Sequence, residues 1–405
     1  MAVPVPRMGF AYTLLDRAID AVQAFGLRIP PLDPEGLVTA ARRKANLHDL
    51  GATFPWEALR LAAGGIETNK ELHVFAKVVL RRNIINSLVL RLRLERARQQ
   101  DPQLEQRSIR PPLIVCGLPR SGTTYLHRLL ANLDDARPLL LWELLEPIPG
   151  PGPDQRLATA ERDLGRLRRW VPASMDAQHL VRPQLADECA YLMRAALAGT
   201  TFYTGPQGRS YLDFSLGRDM LPVYRDWRAL LSLLDAPGKR LTLKDPHHSA
   251  NLPELFAVLP DALVVRTHRN PVEVVPSYHR LVASWLAIIC RHLDLPRMVE
   301  DTTRMLEHMA ARIVAADDDP RVPHDRVIDV DYRALVRDPL EVVQNVCRRF
   351  DIPWKAEYPE RLEQFIRRHR QRAYGENPYC CDEYGQSKEY IMNRFHTYIE
   401  RYRIT

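Results

Sequence analysis

The stretch LIVCGLPRSGTT, from Leu113 to Thr124, decides the fold of this 405-residue chain. Its first half is a short, continuous apolar run that enters a glycine-containing turn, as buried strands of parallel sheets do. The residues after it, from Tyr125 to Leu130, have the amphipathic pattern of a helix. A strand, a tight loop and a helix N-terminus in this order present backbone N–H groups that bind a phosphate-like anion.

The glycines of this loop, Gly117 and Gly122, have the G-x-x-x-x-G spacing of nucleoside-triphosphate loops. The lysine that normally follows the second glycine is missing, because Thr123 occupies its position, and the cation of the loop is Arg120. Kinase and ATPase chemistry depends on that lysine and on a metal, so the sequence disfavours both activities. The residues expected to bind the anion are Arg120, Ser121, Gly122, Thr123 and Thr124.

Further apolar runs predict more strands of the same sheet. One run, from Ala262 to Val265, precedes a predicted helix from Val272 to Ala283. Another, from Val327 to Val330, precedes a predicted helix from Pro339 to Phe350. Strands that alternate with helices indicate an α/β fold, here a P-loop-like open parallel sheet flanked by helices.

The residues before the first strand, 1–108, are predicted to form a helical N-terminal extension. Its clearest helix runs from Thr68, as the N-cap, to Gln100, with apolar residues at helical spacing. The α/β domain is then expected to cover 109–405, with a helical insertion at about 154–240.

Composition limits the class of protein. With 46% hydrophobic and 26% charged residues, the sequence is that of an ordinary soluble globular protein. No apolar stretch predicts a membrane span, and the N-terminus has no secretion signal. Six cysteines without a C-x-x-C pair predict reduced thiols, a cytoplasmic location and no metal site. The net charge is +7 and the basic residues are mostly arginines, which favours phosphate or sulfate ligands. Acidic residues are interleaved with these arginines along the sequence, which argues against nucleic-acid binding.

The loop resembles the 5'-phosphosulfate loop of the sulfotransferase superfamily, in the variant that carries arginine instead of lysine. A second element, Arg269 and Ser277, is similar to the 3'-phosphate clamp of that family. Further stretches resemble its bacterial-type branch, which has a helical N-terminal extension: Trp142–Glu143, Leu243–His248, Thr267–Pro271, Asp331–Tyr332 and Asn393–Tyr398. Within them, Asp245 replaces the usual serine and Asn270 replaces the usual aspartate.

The resemblance implies a sulfotransferase that moves a sulfuryl group from 3'-phosphoadenosine 5'-phosphosulfate (PAPS) to an acceptor by in-line displacement, without a metal. The acceptor would be a hydroxyl group of a small molecule, lipid or sugar. Arg120 and the N–H groups of residues 121–124 would hold the phosphosulfate, and Arg269 with Ser277 would hold the 3'-phosphate. Lys244, at the end of a strand-like run, would be a second cation at the leaving group.

Two residues are candidates for the base that takes the acceptor proton. Glu143 lies about where the arginine-loop branch has its catalytic glutamate, and His248 occupies the histidine of the branch's lysine–proline–x–histidine element. Glu143 is the preferred candidate for the base. Its main alternative role is a salt bridge to an arginine. The main alternative role of His248 is to cap a helix or to orient the substrate. His179 and Glu188 lie in a stretch that resembles the acceptor-side region, and neither receives a role.

Two other functions stay open on the sequence alone. The first is a non-catalytic nucleotide-binding protein of the same fold. Asp245 is the one departure from the family pattern that favours this alternative. The second, less favoured because of Thr123, is a P-loop kinase. The sequence identifies neither the acceptor nor the oligomeric state.

Overall fold

The computed structural model describes residues 30–150, 152–168, 171, 175–176, 180–199, 205–368 and 380–404. These residues form an α/β fold in which helices cover a five-stranded parallel sheet and a helical region precedes it. The strands are β1 (Leu113–Gly117), β2 (Ala136–Pro138), β3 (Arg240–Lys244), β4 (Leu263–His268) and β5 (Val327–Asp331). The predicted fold class is therefore confirmed.

Helices occupy most of the remaining described chain. Those before the sheet are α1 (Pro34–Ala45), α2 (Trp56–Thr68) and α3 (Val74–Gln100). Those after β1 are α4 (Thr123–Leu130), α5 (Leu141–Leu145), α6 (Arg156–Arg168), α7 (Arg209–Gly217), α8 (Leu221–Leu234), α9 (Leu252–Val258), α10 (Pro271–Ile289), α11 (Leu295–Ala316), α12 (Tyr332–Arg337), α13 (Pro339–Arg349), α14 (Tyr358–Arg368), α15 (Lys388–Arg394) and α16 (His396–Arg401). Short 3₁₀ helices are Leu104–Gln106, Cys189–Ala196, Pro246–Ala250, His324–Arg326 and Cys381–Tyr384.

The strand order β2-β3-β1-β4-β5 puts β1 at the centre of the sheet. Leu113 of β1 lies opposite Thr242 on one side and Leu263 on the other. All of β1 is buried, which explains why its sequence is a continuous apolar run. Because the chain passes from β1 to one side for β2 and β3 and to the other for β4 and β5, a crevice opens at the carboxyl end of β1. The loop after β1, the end of β3 and the loop after β4 meet at this crevice.

The N-terminal helices share their core with the sheet. Leu90 and Leu94 of α3 belong to the same buried cluster as Ile114 of β1. Between them, the buried Arg91 donates to the carboxylate of Asp226 on α8 at 2.5 Å. The helical region thus packs against the sheet and is joined to α8 by a buried ion pair, and a domain boundary at residue 108 stays a prediction.

The predicted start of a helix at Thr68 is wrong. Thr68 is the last residue of α2, where its hydroxyl donates to the carbonyl of Gly64 at 2.8 Å, and α3 begins only at Val74. A threonine can bond back to its own helix as readily as it can cap the next one, so its position alone did not decide the boundary. Two predicted elements are longer than expected, since β4 continues to His268 and α10 continues to Ile289.

None of the described helices combines the length and the apolar character that a membrane crossing needs. All six cysteines are free thiols. Within the described ranges, no group of three or more His, Cys, Asp or Glu side chains is placed to hold a metal ion. The cellular location and the metal-free reaction stay predictions.

Candidate functional site

The loop after β1 has a backbone conformation that depends on glycine. Gly117 and Gly122 have φ of 144° and 92°, and Arg120 between them has φ of 68°. Few residues other than glycine adopt such angles without strain. A Cβ on Gly117 would lie 2.3 Å from the carbonyl oxygen of Thr267, so the close approach of β4 also requires glycine there.

Ser121 shapes this loop from the inside. Its hydroxyl donates to the carbonyl of Leu118 at 2.6 Å, and its N–H donates to the same oxygen at 3.2 Å. The hydroxyl also lies 2.7 Å from that of Thr267. Ser121 is fully buried and its side chain holds the loop, while its contact with a donor stays a prediction.

The N-terminus of α4 is open to a ligand. No side chain caps this helix at Gly122, and Gly122, Thr123 and Thr124 all line a cavity at the carboxyl edge of the sheet. The first N–H groups of a helix have no partner within it, and the helix dipole is positive at this end. His127 fixes the direction of α4, because its Nε2 lies 2.9 Å from the carbonyl oxygen of Thr242 on β3.

Arg120 and Arg269 are brought together although they are far apart in sequence. Arg269 donates from Nη1 to the carbonyl oxygen of Arg120 at 2.9 Å, and Arg120 donates from Nε to the hydroxyl of Ser277 at 3.2 Å. Arg269 also forms an ion pair with Glu273 at 2.7 Å and lies over the ring of Tyr332, 4.2 Å from its centroid. The two predicted anion-binding elements therefore form one connected cluster.

Asn270, between β4 and α10, keeps the function that the usual aspartate would have. Its side-chain oxygen accepts from the N–H of Val272 at 2.9 Å and so caps α10. Asparagine and aspartate cap helices about equally well. This departure from the family pattern leaves the start of α10, and thus the placement of Arg269 and Ser277, intact.

The cavity has a volume of about 950 Å³. Its polar end is defined by Arg120, by Arg269, which is bonded to Arg120, and by the N-terminus of α4, all of which line the cavity. Glu188 and His247 also line it. Both predicted arginines thus face one cavity, whose volume lies near the upper end of the range for ligand pockets.

Lys244 forms an ion pair with Glu188 beside this cavity. Lys244 is the last residue of β3 and is almost fully buried, and its Nζ lies 2.9 Å from the Glu188 carboxylate. Glu188 is more exposed, at 16% of its side chain, and lines the cavity itself. The pair therefore places a proton acceptor in the cavity wall and a buried cation directly behind it, since Lys244 itself is not among the described lining residues.

Asp245 has a local structural role. This fully buried carboxylate accepts from the N–H of His247 at 2.8 Å and lies 3.1 Å from its Nδ1, which caps the 3₁₀ helix that begins at Pro246. Burial alone would raise the pKa of Asp245, but the imidazoles of His247 and His248 beside it lower the pKa instead. The aspartate that replaces the family's serine thus organises the turn that holds His247 at the cavity.

Glu143, the preferred base, is turned toward another partner. Its carboxylate forms two bonds to the guanidinium of Arg137, at 2.5 and 3.0 Å, and accepts from the N–H of Leu140 at 2.9 Å, at the start of α5. Among the described residues that line the cavity, Glu143 is not found. The structure therefore places it in the salt bridge that was its alternative.

His248, the second base candidate, lies inside the core. Its Nδ1 is 2.8 Å from the Tyr224 hydroxyl and its Nε2 is 3.1 Å from the sulfur of Cys189. It is fully buried and does not belong to the described cavity lining. Burial lowers the pKa of His248 to about 4, so this imidazole stays neutral near pH 7.

Comparison with known proteins identifies the family of the chain. The sequence model of the sulfotransferase family matches residues 111–356, which is more than half of the chain. The chain belongs to the sulfotransferase family. No curated protein sequence matches it significantly.

Two solved bacterial sulfotransferases have a similar fold. Sulfotransferase STF9 from Mycobacterium avium is 24% identical with a TM-score of 0.79, and the match covers 92% of this chain and 97% of that one. Sulfotransferase STF1 from Mycobacterium tuberculosis H37Rv is 26% identical with a TM-score of 0.70, covering 90% of this chain and 98% of that one. The sulfotransferase fold therefore extends over nearly the whole chain, including the N-terminal helices.

Sequence reasoning missed Glu188 as a functional candidate. It lies just before the 3₁₀ helix that begins at Cys189, in a stretch that had been connected with the acceptor only by resemblance. A buried lysine requires a carboxylate nearby, so Lys244 was the available signal for its partner. His179, from the same stretch, lies outside the described residues.

Proposed function

We propose that this protein transfers a sulfuryl group from PAPS to a hydroxyl group of an acceptor. Family membership supports a transferase of this class. The observation that carries the donor assignment is that Arg120 and Arg269 line one cavity and are joined by a hydrogen bond of 2.9 Å. One nucleotide can then meet a cation at its phosphosulfate and another at its 3'-phosphate, a group that ATP lacks.

The polar end of the cavity would hold the donor in two places. Arg120 and the N-terminus of α4 would bind the phosphosulfate, because guanidinium groups and helix N-termini both favour such oxyanions. Arg269 would bind the 3'-phosphate and exchange its ion pair with Glu273 for one with the ligand, while Ser277 orients Arg120 or donates to the same phosphate. Ser121 would act by shaping the loop.

In the transfer step, the acceptor oxygen attacks sulfur in line with the bridging oxygen of the phosphosulfate. A new sulfur–oxygen bond forms, the bond to the bridging oxygen breaks, and adenosine 3',5'-bisphosphate leaves. Arg120 would neutralise the charge that develops on the leaving oxygen, and Lys244, buried behind Glu188, would add positive potential at that side of the cavity. Glu188, at the cavity wall, would accept the acceptor's proton in place of Glu143 and His248.

A specific observation favours the non-catalytic alternative. Glu143 and His248 are both committed to other partners outside the described cavity lining. Against this reading, Glu188 keeps a proton acceptor in the cavity lining, with the buried cation of Lys244 paired to it. The kinase alternative has no comparable support, because Thr123 stands in the position of the essential lysine.

Ligand-induced stabilisation tests the donor assignment. Adenosine 3',5'-bisphosphate at one hundred times its Kd should stabilise the protein by about 2.7 kcal/mol and raise its melting temperature accordingly. Adenosine 5'-monophosphate and ATP at the same concentration should do much less, because neither carries a 3'-phosphate. Equal shifts from all three nucleotides, or no shift from any, would rule out the donor assignment.

Two glutamate variants test the base assignment. Glu188→Gln should lower kcat about 10²- to 10⁴-fold in transfer of labelled sulfate from PAPS to a panel of alcohols and phenols, with donor affinity nearly unchanged. Glu143→Gln is the matched control and should retain turnover while it weakens the contact with Arg137. A loss of turnover in Glu143→Gln alone would return the base to Glu143. Loss of donor binding in Glu188→Gln would show that this residue acts on the nucleotide instead.

A further inference from the structure

The cavity changes character with distance from the phosphate loop. Its polar end accounts for the donor, but most of the other described residues that line it carry hydrocarbon side chains. We call six of them the apolar wall: Leu164, Leu167, Leu281, Trp285, Leu286 and Ile289. The cavity lining therefore combines the polar cluster of Arg120 and Arg269 with a large apolar surface.

Helix α10 connects the two ends of the cavity. Ser277, which contacts Arg120, lies in its first half, and Leu281, Trp285 and Ile289 follow on one face at intervals of four residues. At a rise of 1.5 Å per residue, the distance from Ser277 to Ile289 along the helix axis is about 18 Å. One face of α10 thus forms an apolar surface that begins near Arg120, beside the proposed site of transfer, and extends along the helix to Ile289.

Part of the apolar wall is open to solvent. Trp285 is 36% exposed and Leu167 is 39% exposed, although both line a concave site. Val336, at 45% exposure, also lines the cavity, but it lies on α12 with Tyr332 beside Arg269 and is not part of the apolar wall. Single exposed apolar residues are common, whereas several around one cavity indicate a surface that an apolar ligand covers.

We propose that the acceptor is an alcohol whose hydroxyl group lies at one end of an extended apolar body, such as a lipid alcohol. This inference rests on the proposed sulfuryl transfer, because it names the acceptor of that reaction. The hydroxyl would lie near Glu188, and the apolar body would run along α10 toward Ile289. A sugar would have to bury its remaining hydroxyl groups against Leu281, Leu286 and their neighbours without hydrogen-bond partners, which is unfavourable.

Binding of primary alcohols of increasing length to the full chain, saturated with adenosine 3',5'-bisphosphate, tests this proposal without requiring turnover. In equilibrium dialysis of hexanol, octanol and decanol, affinity should increase about fourfold for each added methylene, which corresponds to about 0.8 kcal/mol. Glucose at the same concentration should not bind measurably. An affinity that does not depend on chain length, or glucose binding as well as decanol, would overturn the proposal.

A matched pair of tryptophan variants locates the binding surface. Trp285→Ala should weaken decanol binding about tenfold, the effect of losing roughly 50 Å² of apolar contact, and should affect hexanol less. Trp56→Ala is the control, since Trp56 is 42% exposed on α2 and lies outside the described cavity lining. Equal losses in both variants would show that decanol binds elsewhere on the surface and would overturn the proposal.

The same titrations distinguish a failure of the acceptor proposal from a failure of the donor assignment. If adenosine 3',5'-bisphosphate binds but alcohols show no dependence on length, the apolar acceptor is wrong and the donor assignment remains. If the nucleotide does not bind, the proposed transfer itself is wrong, whatever the alcohols do.

Discussion

Removing the guanidinium of Arg269 should specifically abolish recognition of the 3'-phosphate. In the structure this group is held by Glu273 at 2.7 Å and by the carbonyl of Arg120 at 2.9 Å, so it is oriented before a ligand arrives. A hydrogen bond to a charged group contributes about 1.5 to 3 kcal/mol, and the ion pair with Glu273 that it replaces, whose carboxylate is exposed, contributes only about 0.3 to 0.5 kcal/mol. The net loss of about 1.0 to 2.7 kcal/mol means that Arg269→Ala should raise the Kd of adenosine 3',5'-bisphosphate about 5- to 100-fold.

Calorimetric titration with two nucleotides distinguishes this effect from damage to the loop. Arg269 also supports the backbone of Arg120, so its loss is expected to weaken every nucleotide somewhat. Adenosine 5'-monophosphate, which lacks the 3'-phosphate, measures that general effect. The preference of the wild type for the bisphosphate should nearly disappear in Arg269→Ala.

Arg297→Ala provides a matched control. Arg297 likewise pairs with a carboxylate four residues later, but its side chain is exposed and it is not among the described cavity-lining residues. It changes the net charge equally and should leave both affinities unchanged. If Arg269→Ala weakens the two nucleotides by the same factor, or weakens neither, the reasoning on the 3'-phosphate is refuted.

Three further predictions concern stability and the loop. Asp226→Ala leaves the buried Arg91 without its main carboxylate and should lower the free energy of unfolding by about 3 kcal/mol in urea titration; a loss below 1 kcal/mol would contradict this. Burial lowers the pKa of His127 and His248 to about 4 in the folded protein, below the usual value of about 6.5 in the unfolded chain. Between these two pH values only the unfolded chain protonates the two imidazoles. The free energy of unfolding should therefore be highest above about pH 6.5 and should fall by about 3 kcal/mol per histidine as the pH decreases to about 4. A urea midpoint that is constant over this range would be the contrary result. In Gly122→Ala, the new Cβ would lie 2.9 Å from a tyrosine ring, and the backbone φ of 92° at this position is strained for alanine. The variant should therefore bind nucleotide more weakly in calorimetry. Wild-type affinity would show that the loop tolerates a side chain at this position.

The sheet and the anion-binding loop could be predicted because local sequence determines them. Leu113–Gly117 is buried on both faces, so its apolar run has no alternating pattern, and the turn after it requires glycine at Gly122. Arg269 could be predicted only through the resemblance of Arg269 and Ser277 to the 3'-phosphate clamp of the sulfotransferase family. That it reaches Arg120 depends on β4 lying next to β1, which the order of strands in the sequence does not reveal.

The candidate bases could not be placed from sequence because their partners come from tertiary packing. Glu143 is held by Arg137 of β2, and His248 is enclosed by Tyr224 of α8. Neither contact has a sequence signature. Glu188 was overlooked for the same reason, since its ion pair with Lys244 exists only because β3 ends beside the segment that precedes Cys189–Ala196.

A crystal structure of the protein with adenosine 3',5'-bisphosphate tests the account most directly. The account predicts that one nucleotide spans the polar end of the cavity, with its 5'-phosphate at Arg120 and the N-terminus of α4 and its 3'-phosphate at Arg269. A nucleotide bound outside this cavity, or one whose 3'-phosphate makes no contact with Arg269, would contradict it.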